Sequence, residues 1–223
     1  MTEYILNRSK RKTVALYVRD GVVEVRAPLK TPKHEIDRFV NNKEKWINDK
    51  LAITGQRAAL RESFTLDYGK HIAYRGRKYP IAAKEGDSIG FDDEQFYMPS
   101  ELTSEQIKAS CILIYKMLAK RDLSDRLDYF AQKMSAYPAS VKITNARTRW
   151  GSCSAKKRIC FSWRIIMADD DIIDYIVVHE LAHLTELNHS ERFWKTVENV
   201  LPDYLERRAL LNEFHERISL EDW

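Results

Sequence analysis

The segment DDDIIDYIVVHELAHLTELNHSERFW, residues 169–194, sets two histidines and a glutamate inside a stretch otherwise patterned for burial. Ile172, Ile173, Ile176, Val177, Leu181 and Leu184 recur at helical spacing and predict a helix packed against the rest of the fold. The Asp169-Asp170-Asp171 run at its start can cap free amides and complement the helix dipole. His179 and His183 are four residues apart, about 40° around a 3.6-residue helix, so their imidazoles project side by side. Polar groups buried in this way cost free energy unless something satisfies them, and one shared cation satisfies both.

The order His179-Glu180-x-x-His183 is the H-E-x-x-H pattern of a zinc hydrolase. A catalytic zinc usually takes three protein ligands and leaves one position for water, and Glu180 beside that water can accept its proton as general base. His189 is the favoured third ligand; Glu198, Glu206, Glu213 and Glu216 are the rivals. An unbroken helix would carry His189 roughly 240° around from His183, facing away, so the metal reading requires the helix to stop. Asn188 is the expected stop because Asn tolerates the left-handed conformation, and Ser190 then caps a new helix, ERFWKTVENVL. The metzincin proteases use the same six-residue step, but with a glycine where this chain has Glu186 and with a methionine turn downstream. The last methionine here is Met167, upstream of the site, which excludes that class.

The rest of the chain reads as α+β, with a β-rich region over 1–100 carrying one helix and a mainly helical region over 101–223. KTVALYV and VVEVRAP alternate around Asp20-Gly21, a hairpin signal. Thr31 and Pro32 open one helix, KHEIDRFVNNKEKWINDKLA. FTLDYG, HIAYRGRKYPIAAK and QFYM read as short strands; the acidic segment from Gly86 to Glu105 has no clear place. Thr103 to Ser135, free of Gly and Pro, opens with a capping-box pattern and predicts one long helix ended by Tyr137 and Pro138. VKITNARTRWGSCSAKKRICFSWRIIM predicts two strands around a loop, with Ile159, Phe161 and Trp163 on one face.

At 223 residues and 44% hydrophobic, the chain can bury a real core. No apolar run approaches the roughly 20 residues of a bilayer span, and the start lacks a signal-peptide core, so a cytoplasmic protein is expected. Three cysteines, Cys111, Cys153 and Cys160, form no C-x-x-C pair and fit reduced thiols. The net charge of +4 is unevenly placed, with a basic N-terminal region densest at NRSKRK, which is compatible with a polyanionic partner, nucleic acid included.

RTRWGSCS, FSWRIIMA and DYIVVHELAHLTELNHSERFW together closely resemble the YgjP-like metallohydrolases, grouped with the SprT-like and WLM zincin peptidases. NRSKRKTVALYV and VEVRAP are similar to the N-terminal region of that family. The resemblance implies a zincin-like helical core, one zinc on His179, His183 and His189, and Glu180 as catalytic base. It leaves the substrate open between a peptide, as in a metallopeptidase, and a nucleoside triphosphate, as in a pyrophosphatase converting UTP to UMP and diphosphate. A noncatalytic zinc-containing binding module is a further alternative, and manganese, cobalt or nickel could stand at a three-histidine site. Arg147, Arg149, Ser152 and Arg164 are the candidate substrate contacts, and with Lys156, Lys157 and Arg158 they tilt the substrate towards phosphate. Tyr175 and Tyr204 could assist an oxyanion; Trp150, Trp163 and Trp194 are expected to pack in the core and cleft wall.

Overall fold

The computed structural model describes residues 2–19 and 21–223. Contacts divide the chain into two compact units, residues 1–64 with 218–222, and residues 65–217 with Trp223. The boundary falls ahead of the strands between residues 71 and 99, which sort with the helical part.

In the first unit, β1 (Ile5–Ser9), β2 (Ala15–Arg19) and β3 (Val22–Pro28) form a sheet in the order β1-β3-β2, with β1 parallel and β2 antiparallel to β3. Arg19 pairs with Val22, as a hairpin requires; residue 20 of the expected Asp-Gly turn lies outside the described residues. Alternation along β3 buries Val23, Val25 and Ala27. These pack with Ile36, Val40 and Ile47 of two helices, α1 (Lys33–Asn41) and α2 (Glu44–Glu62). The sequence suggested one helix here. It breaks because Asn42 and Lys43 close it with N–H donations to the Arg38 and Val40 carbonyls, at 3.0 and 2.9 Å, and Lys43 leaves helical geometry at φ −109°. The break lets residues from both helices reach one core. Pro32, not Thr31, occupies the cap position of α1, and no side chain caps it.

The second unit opens with a four-stranded sheet, β4 (His71–Tyr74), β5 (Arg77–Lys84), β6 (Gly90–Phe91) and β7 (Phe96–Pro99), in the order β4-β5-β7-β6. FTLDYG joins no ladder and ends in a turn at Tyr68-Gly69; the acidic segment supplies β6 and β7. Then comes α3 (Ser104–Met134), 31 residues and about 46 Å at 1.5 Å per residue. Its start is the expected capping box of Thr103 and Gln106. Its end is Ser135 in the left-handed conformation, ahead of Tyr137.

Three strands follow where two were expected: β8 (Ser140–Thr144), β9 (Gly151–Cys153) and β10 (Arg158–Ser162), in the order β8-β10-β9. The strand ends before Trp163, which instead opens a 3-10 turn, Trp163–Met167, whose five residues are all buried. Three helices complete the unit: α4 (Asp170–Ala182), α5 (Glu191–Val200) and α6 (Tyr204–Ile218). The architecture is mixed α+β, and among the described residues no helix is long and apolar enough to cross a membrane.

Candidate metal centre

The acidic run that starts α4 does more than face the helix dipole. Asp169 makes no side-chain cap bond; its neighbours are taken by arginines from distant elements. Arg75 holds Asp170 through two bonds, Nε to Oδ1 at 2.8 Å and Nη2 to Oδ2 at 2.7 Å, and Arg207 pairs with Asp171 at 3.0 Å. Arg126 bonds both Asp170 and Asp174. The Arg75 guanidinium holds the Asp170 carboxyl below the usual carboxylate range, whereas burial pushes Asp174 up against the opposing pull of Arg126. Gly76 is needed at the turn carrying Arg75, since its φ is +73° and a Cβ there would meet Asp169 Oδ1 at 1.8 Å.

Fixed at its start, α4 buries Ile172, Ile173, Ile176, Val177 and Leu181 and presents His179 on its last full turn. The helix stops at Ala182, earlier than Asn188. The Ala182 carbonyl accepts from the Thr185 N–H at 3.2 Å, the Glu186 N–H at 3.1 Å and the Thr185 hydroxyl at 3.0 Å. That triple claim on one acceptor turns the chain out of the helix without a left-handed residue. Asn188 has a negative φ, and its Oδ1 accepts from the Ser190 N–H at 3.1 Å. Ser190 caps α5 as expected, accepting from the Phe193 N–H at 3.3 Å.

His189 therefore swings back, and its Nε2 lies 3.0 Å from His179 Nε2. With His183, the three histidines bring one ligand nitrogen each within 4.8 Å of one another, and none of the four rival glutamates joins them among the described residues. A tetrahedral ion with bonds near 2.0–2.1 Å spaces its nitrogen ligands by about 3.3–3.4 Å, so the donor set fits one ion. The His183 ring is oriented by the Glu186 carbonyl, 2.9 Å from Nδ1. A carbonyl can only accept, so Nδ1 carries the proton and Nε2 keeps its lone pair.

Phe193, fully buried, touches all three rings, with centroids 4.5 Å from His183, 4.7 Å from His189 and 4.9 Å from His179. Trp194 stacks on His189 and on Tyr204. Burial first, then the charges of the neighbouring histidines and Arg208, push His179 down to about 3, and the same causes lower His189. Neutral imidazole, the ligating form, is thereby favoured. Arg208, which lies over Trp194 at 5.3 Å, and Phe193 had no spacing signal in the sequence, because both reach the site through packing between helices.

Glu180 is buried, its Oε2 lacks a hydrogen-bond partner among the described residues, and burial pushes it up to about 8 against the pull of Arg149. It lies against β9. A Cβ on Gly151 would sit 2.5 Å from Glu180 Oε1, so glycine lets the strand pass this carboxylate without displacing it.

The four candidate substrate contacts separate. Arg164, 6% exposed, donates to the Trp223 backbone oxygen at 2.6 Å, and Arg147 donates to the same oxygen from Nε at 3.0 Å. Arg149 and Ser152 instead line a cleft on the β9–β10 hairpin. Tyr175 packs edge-on against His179, and Tyr204 stacks on Trp194.

The solved structures similar to this chain include two metallopeptidase zymogens. Abylysin from Pyrococcus abyssi is 22% identical over 44% of this chain and 97% of its own, with a TM-score of 0.39. Jannalysin from Methanocaldococcus jannaschii is 19% identical over 41% of this chain and 95% of its own, with a TM-score of 0.38. Among curated proteins nothing matches. A family model described as "YgjP-like, metallopeptidase domain" matches residues 12–214, and a metal-dependent hydrolase is what that domain implies. The chain belongs to the YgjP-like family of metallopeptidase domains.

Proposed function

We propose that the protein is a zinc-dependent peptidase in which His179, His183 and His189 hold one zinc ion, Glu180 is the general base, and an extended polypeptide lies along β9. When bound, zinc supplies Lewis-acid polarisation and lowers the pKa of water. Glu180 moves the proton. Its carboxylate accepts one from the attacking water and, once protonated, delivers it to the leaving amine.

The observation that carries the peptide reading is the position of the free sheet edge. β9 is the outer strand in the order β8-β10-β9. The Ser162 N–H donates to the Trp150 carbonyl at 2.8 Å and the Ser154 N–H to the Arg158 carbonyl at 3.0 Å, so the even-numbered residues bond to β10. By alternation, the N–H and C=O groups of Gly151 and Cys153 face the open edge. That edge is a template for one more strand, and Gly151 sets it against Glu180. A phosphate reading leans on the arginines before the metal helix, and two of them, Arg147 and Arg164, are bonded to Trp223.

The test offers the zinc-loaded protein an unfolded polypeptide and a nucleoside triphosphate panel, with Glu180→Gln as the control. New peptide termini that vanish in the variant are expected. Glu180-dependent release of diphosphate without peptide cleavage overturns the reading.

A further inference from the structure

Residues 129–168 hold eight Lys or Arg and no Asp or Glu. The fold sorts those cations. Lys133 donates to the Val200 carbonyl at 3.4 Å, and Arg147 and Arg164 are bonded to Trp223. Lys142, Arg149, Lys156, Lys157 and Arg158 are left exposed, without an ion-pair partner among the described residues, and Arg149, Lys156 and Arg158 line a cleft of about 570 Å³ shared with Ser152, Cys153, Ser154, Ala155 and Cys160.

The two faces of the hairpin differ. Residues directly opposite in an antiparallel pair share a face, so Gly151 goes with Phe161 and Cys153 with Ile159. This is the inner face: Ile159 and Phe161 are buried, and Glu180 presses on Gly151 and raises the Cys153 thiol, second to burial. Ser152 and Cys160 are on the outer face. Lys142, opposite Cys160 on β8, shares it, and Arg158 lies two residues from Cys160 on the same face. Arg149 lines this outer cleft and is also the cation whose charge Glu180 feels, so it links the cleft to the base.

A peptide strand paired with β9 would point alternate side chains to each face. Those on the outer face would meet Ser152 and the uncompensated charge of Arg149, Lys156 and Arg158. We infer that this cleft selects acidic polypeptide segments, reading carboxylates on alternate residues of a strand paired with the open edge of β9. The inference deepens the peptidase reading and rests on it for the docking direction. Its energetic basis is charge complementarity at a partly enclosed edge, which sets partner choice and falls with salt.

The test measures binding, so that it does not depend on turnover. The zinc-loaded Glu180→Gln protein is titrated into three labelled twelve-residue peptides: Glu at alternate positions, the same glutamates in one block, and Gln in their place. Fluorescence anisotropy should rank the alternating acidic peptide tightest, at least about ten-fold over the Gln peptide at low salt. Arg149→Gln/Lys156→Gln/Arg158→Gln should lose that ranking, and replacing the three by Glu should transfer it to a peptide with alternating Lys. Equal affinity for the acidic and neutral peptides overturns the inference, as does a preference that survives the triple substitution. Equal affinity for the alternating and block peptides overturns the strand-paired part. Displacement of the acidic peptide by inorganic triphosphate at lower concentration than by unlabelled peptide overturns the choice of ligand. Tight acidic binding with no cleavage by the unsubstituted protein leaves this inference standing and defeats the peptidase reading alone.

Discussion

The imidazole of His189 stacks on the indole of Trp194, with centroids 5.5 Å apart and planes 25° apart. His189 is exposed and lies in a loop, so this stack, with Phe193 beneath, is what orders it. Trp194 is held in turn by Tyr204, at 5.4 Å and 19°. Groups that orient a metal ligand typically change affinity 10–100-fold when removed. Trp194→Ala should weaken zinc binding by about ten-fold while Trp194→Phe keeps most of it, as read by competition with a chromophoric chelator.

Gly151 offers a sharper handle on Glu180, the proposed base. Any side chain there must displace the Glu180 carboxylate, because the nearest atoms, at 2.5–2.7 Å, are its Oε1, Cγ and Cδ. A misplacement near 1 Å can cost about 100-fold in rate. Gly151→Ala should lower kcat by that order and leave bound zinc unchanged; a variant with normal kcat would mean that the strand and Glu180 are not in register as described.

The metal-free protein should show an unusual dependence of stability on pH. Glu180 folds to a pKa of about 8 from an ordinary 4.5, so between those values the unfolded chain releases this proton while the folded chain keeps it. That contribution lowers stability as pH rises through the window. His179 acts with the opposite sign: pushed down from 6.5 to about 3, it costs stability as pH falls through that interval, where the unfolded chain binds the extra proton. Glu180→Gln removes only the first effect. Urea denaturation without metal should therefore find the variant gaining on the unsubstituted protein between pH 5 and pH 8; a constant difference contradicts the burial of the carboxyl.

Arg126 ties α3 to the start of α4 through Asp170 and Asp174, with 16% of its side chain exposed against 23% for Asp174. Removing it leaves Asp174 in a site that already disfavours its charge. Arg126→Met should cost about 2 kcal/mol, a value set below the range for fully buried pairs because the site is partly wet, and should appear as a lower urea midpoint with unchanged m.

The clustering of His179, His183 and His189 was legible before folding. The helix-angle argument required a break between His183 and His189, and the structure has one. Its position was not legible, because the break depends on the Thr185 hydroxyl and two amides converging on the Ala182 carbonyl, a competition that residue preferences do not reveal. The split between α1 and α2 was hidden for a related reason: the apolar stripe from Ile36 to Leu51 continues across the Asn42–Lys43 turn, so periodicity alone joins the helices. Arg147 and Arg164 were placed near the cleft by their strands, but their partner is Trp223, 76 and 59 residues away. Local pattern gives a strand; it does not say which of two faces finds a distant acceptor.

The peptidase reading requires His179, His183 and His189 to hold one metal ion beside Glu180, so zinc affinity and stoichiometry test it most directly. Equilibrium competition should give one zinc per chain for the unsubstituted protein and for Glu180→Gln, and a loss of at least about 100-fold in affinity for His189→Ala. If His189→Ala binds zinc as tightly as its parent, the third ligand lies elsewhere and the centre described here is wrong.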